Sequence, residues 1–100
     1  MVLAYITCKD EKEAKKISMR LIKKHLIACS NILPIRSVYS WKGKICDDNE
    51  TLMIAKTKAS NFKKLEQEVK NIHSYEIPCI LRIEESSNES FRKWALDFMG

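Results

Sequence analysis

Residues 73 to 80 read HSYEIPCI, which places an imidazole, a phenol, a carboxylate and a thiol within seven residues around one proline. Groups of these types can hold a metal ion or shape a ligand site. His73 would offer a neutral imidazole to copper or zinc. It can equally cover the last carbonyls of a helix and complement its dipole. Glu76 can add a carboxylate, or simply pair with one of the many lysines. In an extended chain Tyr75 and Glu76 fall on opposite faces, so any chemistry here needs groups brought from elsewhere.

Other chemistry is poorly provided for. The four cysteines, Cys8, Cys29, Cys46 and Cys79, form no CxxC, which argues against a zinc ribbon or thioredoxin-like site. Cys8, Cys46 and Cys79 read as structural or incidental. No Gly-rich phosphate loop occurs. With His25 and His73 a Cys–His pair is arithmetically available, but nothing local supports it, and no enzyme is expected. Net charge is +5, which favours acidic partners. The densest basic run, KKISMRLIKKH at 15 to 25, has the spacing of a solvated helix face rather than a nucleic-acid footprint. The first residues lack a secretory pattern, and no apolar run approaches the ~20 residues that cross a bilayer. The thiols are therefore expected to stay reduced and the chain to be cytoplasmic.

The elements that must position these residues follow from periodicity. One hundred residues make one domain, 1–100. VLAYITC (2 to 8) is a strand. Asp10, with Glu13 three residues later, resembles a capping box, and Ala14, Ile17, Leu21 and Ile22 stripe the helix that follows. From Ile27 to Trp41 the pattern is strand-like, with Ile35, Ser37, Tyr39 and Trp41 on one face. Pro34 marks a bulge or an edge. Lys42-Gly43 makes a tight turn. A second strand is expected to be ragged at CDDNE (46 to 50) and regular through TLMIAKTK (51 to 58). Ser60 caps a helix carrying Phe62, Leu65, Val69 and Ile72. Pro78 opens a strand over 79 to 85, and Asn88 caps a last helix with Phe91, Trp94, Ala95 and Phe98 inward. The order is α+β, a ferredoxin-like βαββαβ antiparallel sheet with an extra C-terminal helix.

The central hairpin is too long for a compact monomer. Residues 28 to 41, fully extended, span about 46 Å, whereas a domain of this size is only about 33 Å across. The hairpin either bends at Pro34 or projects, with Tyr39, Trp41 and Ile45 at its far end. A projecting aromatic tip reads as an oligomerisation arm. Several functions use this order of elements. The third strand has no aromatic residues on which bases could stack, which argues against nucleic-acid binding by that route. The first loop, TCKDEKEA, has neither the CxxC of a copper chaperone nor an arginine for a phosphate.

Four stretches, LIACSNILPI (26 to 35), VYSWKGKI (38 to 45), LMIAKTK (52 to 58) and HSYEIPCI, resemble in order and spacing the motifs of the CutA family, the divalent-cation tolerance proteins. The resemblance implies a ferredoxin-like subunit in a homotrimer braced by the long hairpins, and a role in tolerance of copper or other divalent ions. Ser74 stands where the family usually has proline, and Ile35 where it commonly has glycine. Cys29 falls on the family's recurrent cysteine. It is either a soft metal ligand or a small buried hydrophobe. A metal site would then draw on Cys29, His73 and Glu76. Tyr39, Trp41 and Tyr75 would wall a pocket between subunits or pack an interface. Lys56 would bind an anion in that cleft or reach solvent by its stem. Two functions are implied. One is copper or other divalent-ion binding. The other is a trimeric signalling or scaffold module taking a small anion or a partner protein.

Overall fold

The computed structural model describes residues 1–100 and shows a four-stranded antiparallel sheet with three helices. The strands are β1 (Val2–Cys8), β2 (Cys29–Trp41), β3 (Lys44–Thr57) and β4 (Ile80–Glu84); the helices are α1 (Glu11–Lys23), α2 (Phe62–Ile72) and α3 (Glu89–Met99). Their order across the sheet is β2-β3-β1-β4. This is the ferredoxin-like arrangement, because each crossover helix joins parallel strands that flank an antiparallel one.

β1 alternates buried and half-buried residues along its whole length. Ala4, Ile6 and Cys8 face the helices, where they meet Ala14, Ile17 and Leu21 of α1, Leu65 and Val69 of α2, and Met53 of β3. α1 begins as its sequence specifies. Asp10 is extended and accepts the Glu13 N–H at 2.8 Å. The other two expected caps are not made. Ala59–Asn61 form a 3₁₀ turn ahead of α2, and Asn61 donates to the carbonyl of His25 at 3.2 Å. Asn88 holds the cap position of α3, but its amide donates to the Ser90 hydroxyl at 2.9 Å. α3 builds a second cluster in which Ala95 and Met99 pack on Ala28. Trp94 does not turn inward as the periodicity suggests; it remains 53% exposed.

β2 and β3 pair without a break from Cys29↔Lys56 to Trp41↔Lys44. CDDNE is therefore not ragged. Its backbone ladder to β2 is continuous, and across it the Arg36 guanidinium clasps Asp47 at 2.7 and 3.1 Å. Pro34 makes no bulge, because β2 is an edge strand and its missing N–H costs no ladder bond. Lys42 (φ 49°) and Gly43 (φ 80°) turn the hairpin with two left-handed residues, the geometry that suits twisted strands. β1 supports β3 only as far as Thr51, so residues 44–50 and their β2 partners form a two-stranded arm. The molecule is 45 Å long and 25 × 21 Å in cross-section, as the projecting hairpin requires.

Candidate functional site

The β1–α1 junction and the end of α2 meet at one corner. His73 ends α2 in an extended conformation, its own N–H still bonded to Val69. Its Nε2 lies 2.8 Å from the carbonyl oxygen of Thr7, and its Nδ1 lies 3.0 Å from the backbone nitrogen of Tyr75. A carbonyl only accepts and an amide N–H only donates. The ring is therefore the Nε2–H tautomer, donating to Thr7 and accepting from Tyr75. Glu13 completes the corner. Its carboxylate accepts from the backbone N–H of Lys9 at 3.0 Å and of Ser74 at 2.9 Å. Burial pushes the Glu13 carboxyl up, but its hydrogen bonds from Lys9 and Ser74 outweigh it and hold it below its ordinary range.

Cys8 lies at the same corner. Donor atoms of Cys8, Glu13 and His73 all fall within 4.8 Å of one another. The sequence reading set Cys8 aside as incidental and used Glu13 only as a capping residue. The trio resembles a thiolate–imidazole–carboxylate metal centre, but its donors do not fit that role. Cys8 is fully buried, and burial, with Glu13 next, pushes its thiol up to about 12. Both His73 nitrogens and both Glu13 oxygens are already bound to backbone. The same facts remove Cys8–His73 as a nucleophile–base pair, since the thiol stays protonated and no ring nitrogen is free to take its proton.

Beside this corner opens a cleft of about 490 Å³ between one face of the arm and residues 74–79. Tyr39, Trp41 and Tyr75 are among its walls, as the sequence suggested, and Glu76 joins them. Residues 74–77 form bends instead of continuing β4, which starts only at Ile80. Tyr75 and Glu76 therefore line one cleft, not the opposite faces expected of an extended chain. Glu50, which no sequence motif marked, also lines it, as does Cys79, the thiol of HSYEIPCI that the sequence left as incidental. The Tyr39 hydroxyl donates to Asp48 at 2.7 Å, and that bond pushes its phenol up to about 12. Burial, then the Glu50 charge, raises Tyr75 further still. Burial and the same carboxylate raise the Cys79 thiol.

Cys29 and Lys56 belong to the other end of the sheet, where they pair across β2 and β3. Thr7, which holds His73, pairs with Leu52, four residues from Lys56 and hence about 13 Å along β3. One subunit therefore does not bring Cys29 to His73 and Glu76. Nor does it bring Lys56 to Tyr75. The Lys56 ammonium donates to the Asn31 amide oxygen at 2.6 Å and sits 5.6 Å from the centre of the Phe91 ring. The basic run lies on the outer face of α1, where Arg20 and Lys24 both meet Glu68, at 2.7 and 3.1 Å.

The CutA1 divalent ion tolerance protein family matches residues 2–97. The chain belongs to the CutA family. The divalent-cation tolerance protein CutA of Pyrococcus horikoshii is 37% identical over 98 residues, which cover 97% of this chain and 96% of that protein. The mouse protein CutA is 40% identical over 93 residues, and the chain spans 52% of its length. Among solved structures, the periplasmic divalent cation tolerance protein CutA from Archaeoglobus fulgidus superposes with a TM-score of 0.96 at 40% identity, each chain fully covered. CutA1 from Pyrococcus horikoshii superposes with a TM-score of 0.93 at 34% identity, covering 98% of this chain and 97% of the other. No helix is long and apolar enough to cross a membrane.

Proposed function

We propose that this protein serves divalent-cation tolerance as a homotrimer, and that copper or another divalent ion is met by Cys29 together with donors from a neighbouring subunit. The observation that carries the assembly is the sheet face turned away from α1 and α2. Leu33, Leu81 and Ile83 lie 40 to 50% exposed on it. An apolar face of this extent calls for a partner, and a second and third copy bring the same face. Cys29 opens onto that face in register with Leu33, so assembly can add donors that one subunit lacks. Glu76 enters such a site only from another subunit, and His73, with both ring nitrogens bound to backbone, does not join it. Four unpaired thiols favour a reducing compartment, which supports the cytoplasm.

Light scattering tests the assembly. The expected mass is three times 11.7 kDa, and Leu81→Glu together with Ile83→Glu should yield monomer. A monomeric wild type would refute the proposal. A second reading, a trimeric module that binds a small ligand, is favoured by the cleft beside Tyr75. A ligand-induced rise in melting temperature that Tyr75→Ala removes would support it.

A further inference from the structure

The cleft has a chemical bias that its volume alone does not convey. Three aromatic residues, Tyr39, Trp41 and Tyr75, share it with two carboxylates, Glu50 and Glu76, and no lysine, arginine or histidine lines it. The chain as a whole carries +5, so the cleft is a local pocket of negative potential on a positive molecule. The Tyr39 hydroxyl is engaged by Asp48, which adds a third carboxylate at the rim. Aromatic faces attract cations through their quadrupoles at centroid distances up to about 6 Å. The Lys42 ammonium, 5.5 Å from the Trp41 ring centre, shows that this ring already receives one. Trp41 and Ile77 give the walls an apolar surface that a hydrated metal ion would not use, whereas an alkylated nitrogen would.

We propose that this cleft binds a small organic cation, an amine or quaternary ammonium, with the charge held by Glu50 and Glu76 and the alkyl groups against the aromatic rings. The proposal rests on the ligand-binding reading of the cleft and names its ligand class. It also reverses the anion expected from Lys56, which lies at the other end of the sheet. A cavity near 490 Å³ is within the range of small-molecule sites, roughly 300–1,000 Å³.

The test is a titration of the native oligomer with phenyltrimethylammonium chloride. Trp41 fluorescence is read in a Trp94→Phe background, with sodium benzoate and inorganic phosphate as anionic probes. The expected result is saturable binding of the ammonium alone. Glu50→Gln should weaken it about tenfold, and Glu76→Gln less, with melting temperatures confirming that both variants fold. Because Glu76 is exposed at the rim, its variant keeps the test open if Glu50→Gln unfolds the cleft. Saturable binding of benzoate or phosphate, strengthened by Glu50→Gln, would overturn the cationic class and leave the ligand reading standing. No binding of either charge would overturn both. Ammonium binding unchanged in both glutamine variants would overturn the assignment to this cleft.

Discussion

Two neighbouring regions, the His73 corner and the Tyr75 cleft, are built from the same kinds of residue and differ in what occupies their polar atoms. At the corner an imidazole, a carboxylate and a thiol stand within 4.8 Å, yet the backbone of residues 7, 9, 74 and 75 takes every ring nitrogen and carboxylate oxygen. In the cleft, Trp41 and Glu76 have no such partners and face open space. Ligand-capable side chains are therefore not a site in themselves. Where a helix end must turn into a strand without regular hydrogen bonding, His73 and Glu13 satisfy the backbone groups of the turn. Their chemistry is available for little else.

That contrast can be broken most sharply at Cys8. With its thiol near 12 and fully buried, Cys8 should react with iodoacetamide at pH 8 about a thousandfold more slowly than an ordinary cysteine. Mass spectrometry of timed digests reads this, and rapid labelling of Cys8 would show an open corner. Next comes His73→Ala. It orphans the Thr7 carbonyl and the Tyr75 N–H, and should cost about 2–4 kcal/mol by urea unfolding. A loss below ~1 kcal/mol would mean that the turn holds without the ring.

Glu13→Gln should cost about 1–2 kcal/mol at neutral pH, since an amide cannot accept from both N–H donors. The pH dependence sharpens the point. The folded carboxyl is held below its ordinary 4.5, so its contribution is complete above that value. It is lost as pH falls through the folded value, where the carboxylate takes up its proton. Melting curves of wild type and Glu13→Gln should stay parallel above about pH 5 and converge in acid. The smallest effect belongs to the cleft. Tyr39→Phe removes an exposed hydrogen bond to Asp48 and should change stability by less than ~0.5 kcal/mol, a value that chemical denaturation can bound.

Much of the fold was legible because its signals are local. Asp10 with Glu13, the Ala14–Ile17–Leu21 stripe, the Lys42-Gly43 turn and the length of residues 28 to 41 each name their structure without long-range information. Arithmetic left two outcomes for the long hairpin, a bend at Pro34 or a projection, and the unbroken β2–β3 pairing gives the second. The site was legible only in part. Tyr39, Trp41, Tyr75 and Glu76 do share a cleft, but Glu50 is brought to it by strand register, which no motif announces, and Cys79 by the late start of β4. Cys29 looked like a companion of His73 and Glu76, and Lys56 of Tyr75, because motifs record residue types and order. The pairings Cys29↔Lys56 and Thr7↔Leu52 set Cys29 and Lys56 together at one end of β3 and His73 with Tyr75 at the other. Ser60 and Asn88 failed as caps because other contacts claimed the chain around them: a 3₁₀ turn in one case, the Ser90 hydroxyl in the other.

The most direct test of His73 as architecture is long-range ¹H–¹⁵N NMR of its imidazole, recorded on reduced protein before and after addition of Cu(I). The hydrogen bonds predict the Nε2–H tautomer, with Nδ1 shifts that stay put when the ion is added, while Cys29 resonances move. A shift of the His73 Nδ1 signal on metal addition, with loss of the Tyr75 amide bond, would contradict it and make the corner itself the metal site.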